Sequence, residues 1–216
     1  MRKGFHEQLK DLENDMIKMG SMVEEAIHKS IKALQEKDLE LAQEVLDEDD
    51  KIDDFEIKLE EETTRLIALQ QPVAKDLREI IVISKLATDL ERIGDHAWNI
   101  ANMVLKIGDE PLIKPLIDIP RMTNIVTRRL RESLDAFINL DVEKAKEIAK
   151  EDDEVDVLDE QILRELLTFM IEDPSKIEQA TSLIFVSRFL ERIGDHSTNV
   201  CERVIYMKTG ERDFNY

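Results

Sequence analysis

Leu90-Glu91-Arg92-Ile93-Gly94-Asp95-His96 decides the fold, because residues 190–196 repeat it letter for letter as Leu190-Glu191-Arg192-Ile193-Gly194-Asp195-His196. Both copies run on to an asparagine at the matching place, Asn99 and Asn199. A run of that length does not recur by chance, so the chain is read as an internal duplication. Glu91, Asp95 and Asn99 are spaced i, i+4, i+8 and line up along one face of a helix. Around that stripe the residues are apolar: Ile80, Ile83, Ala87, Leu90, Ala97, Trp98 and Leu105. Carboxylates flanked by core-type residues need either opposite charges or a metal ion.

Working outward, the duplication extends well beyond the motif. Asp38-Leu39-Glu40-Leu41-Ala42 matches Asp141-Val142-Glu143-Lys144-Ala145, and Glu48-Asp49-Asp50-Lys51-Ile52-Asp53 matches Glu151-Asp152-Asp153-Glu154-Val155-Asp156. The offset is 103 there and 100 at the motif, so the first half holds three extra residues around Ala68–Lys75. Leu9, Leu12, Met16, Met19, Val23, Ile27 and Ile31 recur at helical spacing and predict a helix from about Lys3 to Glu36. Asp38 reads as the cap of a second helix running to about Gln70, and Gln71-Pro72 separates it from a third that ends near Ile107. A helix from about Pro120, one capped by Asp141 and running to about Glu172, and one that frays after Lys208 repeat the plan. Between the halves, Pro111, Pro115 and Pro120 follow Gly108. The expected architecture is all-α: two tandem antiparallel three-helix bundles related by an internal pseudo-two-fold, at 1–108 and 120–216 with a linker at 109–119.

Composition agrees with long helices. Charged residues make up 37% of the 216, and there are only six glycines and five prolines. A net charge of −19 disfavours nucleic acid and anionic lipid and attracts cations or a basic partner. The lone Cys201 excludes an internal disulfide and fits a reducing compartment; with no visible signal peptide or apolar span, the chain reads as soluble and cytoplasmic.

Each half carries two acid pairs at i, i+4: Asp49…Asp53 and Glu91…Asp95, then Asp152…Asp156 and Glu191…Asp195. Members of a pair sit roughly 6 Å apart along a helix, and directly packed helices have axes roughly 8–10 Å apart. Convergence of the two acidic faces of one half would crowd four carboxylates together, and oxygen donors suit Mg²⁺, Mn²⁺, Fe or Zn²⁺. Asn99, Asn102, Asn199 and Glu202 are further donors of the same kind. Against this stands the plain alternative that Arg92 and Arg192 pair with the acids on solvated faces. His96 and His196 lie about 140° round the helix from the glutamates and read as capping or surface residues, as do His6 and His28 as surface residues. Gly94 and Gly194, costly inside helices, predict a close approach by another element. Arg128, Arg129 and Arg131 form the densest basic cluster, balancing acidic neighbours or meeting a partner. No nucleophile elbow, phosphate loop or dinucleotide fingerprint is present.

Taken together, the twin ERIGDH segments, the paired Asp-Asp-x-x-Asp segments, residues 19–27 (MGSMVEEAI) and residues 66–78 (LIALQQPVAKDLR) resemble the PhoU family of phosphate-uptake regulators. The resemblance covers nearly the whole chain. It implies two three-helix bundles, often in a homodimer, with [Asp/Glu]-x-x-x-Asp motifs that bind metal in some members. Those motifs fall here on Asp49, Asp53, Glu91 and Asp95, and on Asp152, Asp156, Glu191 and Asp195. It further implies a non-enzymatic regulator that meets the ATPase subunit of a phosphate ABC transporter and a sensor histidine kinase, negatively regulating the phosphate-starvation response. The competing reading is a carboxylate-cluster metalloenzyme, a phosphatase or oxidase.

Overall fold

The computed structural model describes residues 2–150 and 153–211. Among them are eight α-helices and no strand: α1 (Arg2–Glu36), α2 (Leu39–Glu48), α3 (Asp50–Gln70), α4 (Lys75–Ile107), α5 (Asp118–Asn139), α6 (Val142–Ala149), α7 (Asp153–Glu172) and α8 (Ile177–Thr209), with a 3₁₀ turn at Pro174–Lys176 before α8. The architecture is the expected pair of related three-helix units, with one correction. The second helix of each unit is not continuous. In the first unit it breaks at Asp49, where Ile52 N donates to Asp49 O at 2.8 Å while Asp53 N reaches the same carbonyl at 3.2 Å. Asp47-Glu48-Asp49-Asp50 sets four acids side by side, residues that favour a helix start over a helix interior. Buried Val45 and Ile52 stay seven residues apart, so the break interrupts the ladder without changing the buried face. That conserved phase is why periodicity alone hides it.

The helix starts repeat atom for atom. Asp38 and Asp141 are extended, at φ −88° and −87°, and each side chain accepts from the N–H three residues on, Leu41 and Lys144. Ahead of them Lys37 and Leu140 adopt φ 54° and 51°, and the Asp38 and Asp141 N–H groups close α1 and α5 on Ala33 O and Ala136 O. One charge pair even repeats with its signs exchanged: Lys29 meets Glu25 at 3.1 Å, and in its place Glu132 meets Arg128 at 3.7 Å. Removing either cap, by Asp38→Ala or Asp141→Ala, should cost about 1 kcal/mol. The caps are remote from each other, so the double variant should lose about 2 kcal/mol in denaturant unfolding; a loss confined to one of them would break the equivalence.

The buried apolar residues form one cluster that runs through both units. Its centre is the packing of α4 on α8, the most extensive helix pair described. Arg78 meets Tyr206, Asp89 meets His196 and Arg203, and His96 meets Phe189 and His196. Numbers rising on one helix as they fall on the other make the pair antiparallel, and equivalent residues coincide near Gly94 and Gly194. The pseudo-two-fold passes there, between the two copies of the motif. Leu90, Ile93, Leu190 and Ile193 are fully buried around it, each contributing about 1.5–3 kcal/mol at most. No described helix is long and apolar enough to cross a membrane.

Candidate metal centre

Gly94 positions the first acidic set. A Cβ there would stand 3.2 Å from Ile52 Cδ1 and Cγ2 and 3.6 Å from Asp49 Oδ1, so its absence lets α3 close on α4. The expected close approach is therefore real, and it brings acids of both helices within reach of one another. Burial, then Asp53, Asp95 and Asp50, raise the Asp49 carboxyl to about 6. Asp53 rises through burial and then through Asp95, Asp50 and Glu56. Glu91 rises to about 7, by burial first and Asp95 second, with Arg92 opposing and Glu56 and Asp53 adding to it. Glu56 is the member that sequence reasoning missed. Its signal was available, because Asp159 repeats it at the offset of 103.

Arg92 does what the plain alternative required. It lies 3.4 Å from Glu91 Oε2 and donates through Nη1 to Asp95 Oδ2 at 3.0 Å, from a side chain that is 55% exposed. Even so, Glu91 Oε2 is buried and accepts no hydrogen bond. As the side chains stand, no three His, Cys, Asp or Glu among the described residues are disposed to hold a metal ion together. In donor chemistry the set fits a hard cation: oxygen ligands only, like charges raising one another's pKa, and one orphaned buried oxygen. Asn99 is otherwise engaged, donating to Asp95 O at 2.7 Å.

The second set is differently furnished. Asp152 lies outside the described residues. Burial and then Asp195 raise Glu191, Arg188 opposes, and Asp159 and Asp156 add to the rise. Asp159 is buried and accepts from Ser187 Oγ at 2.6 Å and Arg188 Nη1 at 2.9 Å. Arg129, read from sequence as part of a basic cluster that balances acids or meets a partner, is wholly buried. Its Nη2 donates to Thr198 Oγ1 at 2.7 Å, and its Nη1 lies 3.6 Å from where a Cβ on Gly194 would be. The other two arginines of the cluster do balance acids, Arg128 on Glu132 and Arg131 on Glu24.

Both motif histidines need correction: neither is a cap, His96 is buried, and His196 is half-buried at the crossing of α4 and α8. Their rings sit 5.7 Å apart across the pseudo-two-fold. His96 is 9% exposed, stacks on Phe189 and leaves Nδ1 without a hydrogen bond. Burial, and then the charges of His196, Arg192 and Arg92, lower its pKa to about 4. His196 Nδ1 instead stands 3.3 Å from Asp89 Oδ1, and Arg203 donates to the other oxygen of that carboxylate. Burial opposes ionisation of Asp89, but these two hydrogen bonds hold its carboxyl below the usual range. The periodicity could not reveal this, because a helix angle measured from the glutamates says nothing of the helix on the other side. His6 and His28 are exposed as expected, and Cys201 is a buried free thiol that burial pushes up to about 12.

A family profile described as PhoU domain matches the chain twice, over residues 16–104 and 119–204. A Clostridium acetobutylicum protein named phosphate-specific transport system accessory protein PhoU homolog is 43% identical over 98% of this chain and 97% of its own length. An Aquifex aeolicus protein of the same name is 44% identical over 94% of this chain and 92% of its own length. The crystal structure of PhoU from Pseudomonas aeruginosa, 38% identical, superimposes with a TM-score of 0.92 over 96% of this chain and 100% of that one.

Proposed function

The chain belongs to the PhoU family, and on that footing we propose that it is an accessory regulator of phosphate transport that works in the cytoplasm by protein–protein contact. The observation that carries this reading is coverage: relatives named as phosphate-specific transport accessory proteins match it almost from end to end. Its partners are the ATPase subunit of a phosphate ABC transporter and a sensor histidine kinase, and its working form is a homodimer. In phosphate-rich medium it keeps the starvation response off.

The acidic sets belong to this function as cation sites. Asp49, Asp53, Glu91 and Asp95 would hold an ion such as Mn²⁺, Fe, Zn²⁺ or Mg²⁺, with Glu56 beside them. A bound cation supplies positive charge that cancels the repulsion and ties α3 to α4. What supports this placement is the Asp49 carboxylate at the start of α3, which faces Gly94 of α4, and Arg92, which meets Glu91 and Asp95 from a largely exposed position.

Deleting the gene should switch phosphate-starvation genes on in phosphate-rich medium, and the tagged protein should retain the transporter ATPase in a pull-down. Unchanged expression in the deletion strain would overturn the regulatory reading.

A further inference from the structure

The two acidic sets descend from one repeat, yet their surroundings differ in a way that bears on which of them takes an ion. The register of α1 on α5 is fixed by structure. Ser30 Oγ donates to Ile27 O at 2.9 Å and its counterpart Ser133 donates to Leu130 O at 2.8 Å, about two turns before the matching left-handed residues and caps. At that offset Arg129 corresponds to Ala26. Ala26 joins Met22, Lys29, Val45, Asp49 and Ile52 around a pocket of about 190 Å³. In the other half that position carries a guanidinium, 0% exposed, whose Nη1 stands over Gly194 at 3.6 Å from where a Cβ would be, as do Val126 and Val155. Beside Gly94 the polar atom at the same 3.6 Å is not a cation but the carboxylate oxygen of Asp49.

A second substitution points the same way. Ser187 and Arg188, which hold Asp159, correspond to Ala87 and Thr88, which offer Glu56 no cation. By sequence each set has five acids. Beside the first, Arg92 meets Glu91 and Asp95, while Lys29 and Lys51, which line the Asp49 pocket, are engaged by Glu44 and Glu48. Beside the second, Arg188 meets Asp159 and Glu191, Arg192 lines one pocket with Glu191 and Asp195, and Arg129 is buried at Gly194. A guanidinium withdrawn from water persists only where anionic charge surrounds it, and it cannot share that space with a metal ion.

Resting on the reading of the acidic sets as cation sites, we infer that the second half carries its cation in its own sequence. The Arg129 guanidinium, seconded by Arg188, takes the part that a metal ion plays in the first half, so metal binds at Asp49, Asp53, Glu91 and Asp95 and not at the second set.

The test is titration of the chelator-stripped full chain with Mn²⁺, reading free Mn²⁺ by electron paramagnetic resonance and the melting temperature alongside. Glu91→Gln with Asp95→Asn should weaken tight Mn²⁺ binding at least tenfold, whereas Glu191→Gln with Asp195→Asn should leave bound Mn²⁺ and its affinity within twofold of wild type. Ala26→Arg, which grafts the guanidinium into the open pocket, should weaken binding as strongly as the first pair. Arg129→Ala should open a second binding event; should that variant fail to fold, the other three still decide. Loss of about half the bound Mn²⁺ in the second-half pair would overturn the inference and leave the metal reading intact. A wild type that takes up no Mn²⁺ and melts unchanged would overturn the metal reading, and the inference with it.

Discussion

With metal removed by chelation, Glu91→Gln should melt higher than the wild type at pH 7.5 and no higher at pH 5. Burial and Asp95 raise Glu91 to about 7 from an ordinary value of 4.5, so between those values the folded protein holds a proton that the unfolded chain has released. Stability from a raised carboxyl is fully present below the unfolded pKa and is lost as the pH rises through the folded one. At pH 7.5 wild-type Glu91 is charged in a crowded acidic site, and the isosteric amide removes that charge. At pH 5 the carboxyl is already neutral, and the substitution changes little. Each pKa unit corresponds to about 1.4 kcal/mol. Neighbouring acids titrate together and the site is partly solvated, which reduces the gain to about 1–2 kcal/mol, or roughly 3–6 °C in a chain of this size. His96 runs the other way, since its lowered pKa means that the unfolded chain gains a proton more readily as the pH falls. That loss is common to both proteins, so their difference is the quantity to follow. Saturating Mn²⁺ should reverse the order at pH 7.5, stabilising the wild type and leaving the variant behind. A variant that melts below the wild type at pH 7.5 under chelation would mean that Arg92, not repulsion, governs the site.

What the sequence made legible is what local patterning controls. The duplicated motif, the offset and the Asp38 and Asp141 caps all depend on residues within a turn or two of one another, and all appear in the fold. Gly94 told of a close approach, since a Cβ there would press on Ile52 at 3.2 Å, but at Gly194 a Cβ would meet its neighbours at an ordinary 3.6 Å, so the same expectation does not hold in the second half. The break at Asp49 escaped because the apolar phase crosses it unchanged. Arg129 escaped for a different reason: three basic residues in four positions read as one cluster, and only the packing of α5 on α8 turns the middle one inward. Glu56 was overlooked because the i, i+4 template stops at Asp53. The histidine pair depends wholly on how α4 crosses α8, which no period within one helix encodes.

That crossing also sets the second large effect. Asp89→Ala should cost about 2–3 kcal/mol, lowering the melting temperature by roughly 5–10 °C. The carboxylate is 6% exposed and answers both His196 and Arg203; without it, a half-buried guanidinium and an imidazole face each other unpaired. The pseudo-two-fold suggests the remedy. At the equivalent positions of the other half stand Phe189 and Met103, and Phe189 stacks on His96 at 5.9 Å just where Asp89 meets His196. One side of the axis is therefore closed by an ion pair and the other by an aromatic ring. Buried ion pairs exchange with well-packed apolar residues at little net cost, whereas stripping one partner is expensive. Asp89→Phe combined with Arg203→Met makes the junction symmetric, and it should recover more than half of what Asp89→Ala loses. Asp89→Phe by itself should not, because Arg203 would remain without its partner. If the double variant melts as low as Asp89→Ala, then the carboxylate contributes through its charge and not merely by filling the crossing, and the two sides of the axis are not interchangeable.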